Sequence, residues 1–122
     1  MDINALLNQE IDSYDRKSWT GIIGGEEVTI YADPLSPADE KQITRKFPNF
    51  MQSPGTAGMA YAIALKARND EGERMFSMGK DLPILNKFKM GLIAEIFAGL
   101  FGEEVEPDFD GTVKNSKTTS TD

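Results

Sequence analysis

A chain of 122 residues with 20 acidic and 13 basic side chains, a formal charge of −7, is long enough for one hydrophobic core and too short for two. The absence of both cysteine and histidine removes disulfides, thiolate nucleophiles, an imidazole base, a Ser-His-Asp triad and His/Cys zinc sites together. Hydrophobic residues at 39% and charged residues at 27% are those of a chain that folds.

At the N-terminus, MDINALLNQE has no basic segment before an apolar run, so no secretory signal is read there. Ile3, Leu6, Leu7 and Ile11 instead follow helical spacing and predict a short amphipathic helix from about Asp2 to Asp12. Lys17 to Ile23 and Val28 to Tyr31 are rich in Trp, Thr, Ile and Val, and Gly24-Gly25-Glu26-Glu27 lies between them, which reads as a β-hairpin. Val28, Ile30 and Ala32 give its second strand one apolar face.

Ser36-Pro37-Ala38-Asp39 is a helix start, with a Ser N-cap, Pro at the first helical position and an acid in the first turn. That helix is expected to reach about Phe47, because Pro48 disfavours helical geometry in the residue before it. After a loop over Asn49 to Gly55, Thr56 can cap another helix, whose apolar stripe is Met59, Ala60, Ile63, Ala64 and Ala67 and which runs to about Arg68. Asn69-Asp70-Glu71-Gly72 ends it as a turn. Met75 to Lys80 is a linking stretch, and Pro83 can open a last helix reaching Phe101, with Gly102 as its stop. Those residues would span about 28 Å. Lys87, Lys89 and Glu95 interrupt this most apolar segment, so no membrane span is expected. The fold class is therefore α+β: a mostly helical single domain over residues 1–102 with one N-terminal β-hairpin, then a disordered acidic and polar tail over 103–122. The tail holds six acids against Lys114 and Lys117 and has almost nothing to bury.

The last helix is the most informative element. At about 100° per residue, Met90, Leu92, Ile93, Ile96, Phe97, Leu100 and Phe101 cover roughly half of the circumference, more than a one-sided surface helix needs. It must bury two sides, within its own domain or against another chain. Leu92, Ile93, Ile96, Phe97, Leu100 and Phe101 are accordingly the candidate interaction surface. Met51, Met59, Met75, Met78 and Met90 suit adaptable interfaces and irregular cores alike.

No catalytic constellation is visible. Asp70, Glu71 and Glu73 share a turn but do not match a calcium-binding loop, and Gly24-Gly25 and Gly55-Thr56-Ala57-Gly58 lack the Lys-Ser/Thr of a phosphate-binding loop. No catalytic residue, metal site or cofactor is expected, and the chain is read as not an enzyme. With acids in excess in both the body and the tail, nucleic acid is not an expected partner.

Val28-Thr29-Ile30-Tyr31 followed by Leu35-Ser36-Pro37-Ala38-Asp39-Glu40 resembles the short strand and capped-helix entry of the tail assembly chaperones of long-tailed, siphovirus-type bacteriophages. The run Ala64 to Phe76, ALKARNDEGERMF, is similar to that family's helix end, charged glycine turn and following Phe. Asp81-Leu82-Pro83 and an Ile/Leu-rich helix closing at Leu100-Phe101-Gly102 follow in the same order, so the resemblance covers about residues 17 to 102. It implies a morphogenesis factor of the host cell cytoplasm. Such a factor binds the tape measure protein, recruits tail tube protein, self-associates and is absent from the mature virion. The resemblance also implies that a longer, frameshifted form commonly accompanies the short one. The alternative reading is a small acidic regulatory protein, antitoxin-like or anti-repressor, that occupies a basic partner with its tail. A third is a carboxylate enzyme using Mg²⁺, which would need convergent acids.

Overall fold

The computed structural model describes residues 2–102, and over these the fold is α+β and mostly helical, with one two-stranded antiparallel hairpin. The acidic tail expected over 103–122 lies outside the described residues.

Helix α1 (Ile3–Asp12) begins where the Asp2 carboxylate accepts a hydrogen bond from the Asn4 amide at 3.1 Å, satisfying one of the donors that a helix start leaves unpaired. Strands β1 (Lys17–Ile23) and β2 (Glu26–Ala32) then pair in register from Lys17 opposite Ala32 to Ile23 opposite Glu26. Gly24 and Gly25 have φ of +63° and +83°, the left-handed pair that a two-residue hairpin turn demands. Because two glycines suffice for the turn, Glu26 and Glu27 join the strand, which starts earlier than its apolar residues suggest.

Helix α2 (Pro37–Lys46) carries a reciprocal cap. Ser36 Oγ accepts from the Asp39 amide at 3.2 Å, and the Asp39 carboxylate accepts from the Ser36 amide at 2.9 Å. Helix α3 (Thr56–Lys66) is capped by Gly55, one residue before the expected Thr56, and every residue from Gly58 to Ala64 is buried. It ends before Arg68 because that residue is taken by the sheet edge: Tyr31 and Arg68 exchange backbone hydrogen bonds of 2.9 and 2.8 Å.

The single last helix expected from Pro83 to Phe101 is two helices, α4 (Leu82–Leu85) and α5 (Met90–Phe101). Lys89 between them is extended, with φ −60° and ψ 140°. An unbroken helix of about 28 Å would overrun α3, which is about 16 Å long. With the break, both α4 and α5 pack on α3.

Helix α3 is thus the hub, contacted by α2, α4 and α5. Its small residues let large ones approach. A Cβ on Gly58 would come within 2.9 Å of the Phe50 ring, so the missing side chain makes room for Phe50, which meets Phe97 edge-on at 5.7 Å. The hairpin docks on α5 through Trp19. Its ring lies over Gly21 and Gly99, and its Nε1 donates to Glu95 Oε2 at 2.9 Å.

Candidate interaction surface

Helix α5 was the expected interaction surface, and the structure turns that face inward. Ile93, Ile96, Phe97, Leu100 and Phe101 are each at most 2% exposed, and Leu92 is half-buried against the same core. The two sides that its wide apolar arc must cover are met by α3 and by β1 of the same chain. Of the two burials the arc allowed, within the domain or against another chain, five of these six side chains take the first, and Leu92 is partly exposed.

The exposed apolar face belongs to α1. No residue of this helix is buried, and Ile3, Leu6, Leu7 and Ile11 are 60%, 42%, 57% and 62% exposed. At 3.6 residues per turn they form one stripe, continued by Tyr14, which is also exposed. The side-chain hydrogen bond to Glu10 one turn back, together with the charge of that carboxylate, pushes the Tyr14 phenol above its ordinary value. The stripe was legible as a helix face in the sequence. That nothing in the described residues covers it was not, since spacing gives the apolar side of a helix and not what lies against it.

At its C-terminal end the stripe runs into a cleft of about 720 Å³, lined by the apolar Ile11, Tyr14, Pro34, Leu35 and Pro37 and by the charged Asp12, Arg16, Asp33 and Lys66. Arg16, Asp33 and Lys66 take part in two ion pairs there. Arg16 Nε lies 3.0 Å from Asp33 Oδ1 and is exposed, so it contributes little. Lys66 Nζ lies 2.7 Å from Asp39 Oδ2, with both side chains 17% exposed. Burial alone would raise the Asp39 carboxyl, but the hydrogen bonds from Lys66 and Ser36 and the Lys66 charge outweigh it and hold the carboxyl below its ordinary value. A second surface is basic: Lys41, Arg45 and Lys46 line a shallow groove on α2, with Lys46 lying 6.0 Å from the centre of the Tyr61 ring.

Asp70, Glu71 and Glu73 do not converge. Asn69 Oδ1 accepts from the Glu71 and Glu73 amides at 2.9 and 3.0 Å, and Gly72 has φ +82°, so the segment is a tight turn with its acids spread around it. Among the described residues no three potential metal ligands gather, and no helix is long and apolar enough to cross a membrane. Gly55 caps α3 and Gly58 admits Phe50, which accounts for that glycine-rich stretch through packing. Compared with known protein families, with characterised proteins and with solved structures, the chain matches none of them.

Proposed function

We propose that this chain is a non-catalytic binding protein of the tail assembly chaperone kind, one that holds the tape measure protein and tail tube subunits during phage tail morphogenesis in the host cytoplasm. The observation that carries this reading is the stripe Ile3, Leu6, Leu7 and Ile11, an apolar helix face that the chain's own core does not use. A long apolar-rich client is kept soluble by contacts of this kind, in which one amphipathic helix face packs along another without strict shape demands. The ordered resemblance over residues 17 to 102 names the client class, and the acidic excess keeps a complex soluble by self-repulsion.

The test is co-expression of the full chain with a tape measure protein. The native chain is expected to hold the client in the soluble fraction. The variant Ile3→Ser, Leu6→Ser, Leu7→Ser, Ile11→Ser is expected to let it precipitate while its own circular dichroism is unchanged. A client that stays equally soluble with the variant, or that precipitates with the native chain, overturns the reading.

A further inference from the structure

We propose that the basic groove on α2 is the docking place of the chain's own carboxylates Glu106, Asp108 and Asp110, which close it against other acidic segments. The groove has a fixed floor. Ala38, Lys41, Gln42, Arg45 and Lys46 come from one side of α2 and Tyr61 from α3, around a volume of about 300 Å³. Tyr61 is buried, its ring meets Phe47 edge-on at 5.7 Å, and its hydroxyl accepts from Gln42 Nε2 at 3.4 Å. Three cations there have no acid to answer them. Lys41 and Arg45 stand one turn apart with Lys46 beside them, all three are exposed, and among the described residues none makes an ion pair. The acids of α2 do not fill that role: Asp39 is held by Lys66 and the Ser36 amide, and Glu40 lies about 100° or more around the helix from each of the three. Like charges one turn apart repel, so an anion set among them relieves that repulsion as well as adding its own attraction.

The densest run of acids in the sequence follows Gly102 directly: Glu103, Glu104, Glu106, Asp108 and Asp110, with no base among those eight residues. The members at 106, 108 and 110 alternate, a spacing that sets carboxylates about 6.6 Å apart on one side of an extended backbone, comparable with the about 5–6 Å between positions one helical turn apart. Reach is sufficient. Phe101, the residue before Gly102, connects to Tyr61 through packed rings: Phe97 lies 5.3 Å from Phe101 and 5.7 Å from Phe50, and Phe50 and Phe47 both lie against Gly58. Eight residues span up to about 26 Å, about twice the ~13 Å radius of gyration of a domain of 100 residues. Glu103 and Glu104 stand too close to the end of α5 to arrive. Tethering gives an effective concentration in the millimolar range, which lets individually weak exposed pairs form together. Nucleic acid is the poorer occupant, because residues 2–102 hold 14 acids against 11 bases and a long polyanion runs from the groove onto an acidic surround. Client binding on α1 plays no part in this contact, which is measured on the chain alone.

Zero-length carbodiimide coupling of the full chain, read by mass spectrometry, is expected to join Lys41 or Lys46 to Glu106, Asp108 or Asp110 within single copies, and to fall away toward about 1 M salt, where the Debye length is about 3 Å. A short poly-glutamate peptide is expected to bind the variant Glu106→Gln, Asp108→Asn, Asp110→Asn about tenfold more tightly than the native chain, since a tethered competitor no longer has to be displaced. The same peptide is expected not to bind Lys41→Gln, Arg45→Gln, Lys46→Gln, whose circular dichroism is unchanged because all three positions are exposed. Absence of these couplings, or couplings found only between isotopically labelled and unlabelled copies, overturns the proposal. So does equal affinity of poly-glutamate for the native chain and the acid variant, or tighter binding of a DNA oligonucleotide than of poly-glutamate by that variant.

Discussion

At the scale of single residues, two positions show how the sequence meets the fold. Gly58 is buried on α3 with the Phe50 ring where its side chain would be. Gly58→Ala gains helix propensity but must move Phe50 and with it the Phe97 contact. Overpacking of this kind costs about 1–3 kcal/mol, to be read from the midpoint of urea unfolding. Asp39 holds both the α2 cap and Lys66. Its folded carboxyl titrates below the unfolded value, so its contribution is present above the unfolded value near 3.8 and is lost as pH falls through the folded one. Asp39→Asn is expected to lower stability at neutral pH by about 1 kcal/mol and to flatten the acid limb of a stability–pH profile. The cap was readable from Ser36-Pro37-Ala38-Asp39 because it is local. The Lys66 partner, 27 residues on, was not.

At the scale of elements, the sequence left open whether α5 meets its own domain or another chain, and it named nothing to lie against α1. Helix α5 is the more apolar and is interior. Helix α1 is ordinary in composition and is the exposed face. The two make opposite predictions under similar substitutions. Phe97→Glu with Phe101→Glu places two charges among fully buried rings and is expected to unfold the chain, seen as loss of its circular dichroism and cooperative melting. Serines at Ile3, Leu6, Leu7 and Ile11 remove side chains that are each 42% or more exposed, and are expected to leave the melting of the body within the range of ordinary surface changes, about 0.5 kcal/mol. The break between α4 and α5 belongs to this scale too. Periodicity runs through Lys87-Phe88-Lys89 without interruption, but the short α3 beneath gives a straight helix nothing to pack on at one end.

Across the whole molecule, order should follow contact with α3. Amide hydrogen exchange is expected to be slowest in α3 and α5, which pack together and hold most of the core, and fastest in α1, from which no residue is buried.

The sequence alone determined what is local or additive: the helix starts at Asp2 and Ser36, the glycine turn of the hairpin, the Asn69–Gly72 turn, the α+β class, and the lack of histidine and cysteine chemistry. Each depends on neighbours in the chain or on composition, so no distant contact can reverse it. Tertiary structure decided which apolar faces are used up. Ile93 to Phe101 and Ile3 to Ile11 both read as apolar faces, the first the wider, and the placement of α3 and the hairpin over the first, with neither over the second, separates a core from a surface. Burial is a property of what lies opposite a side chain, and one stretch of sequence does not contain its opposite.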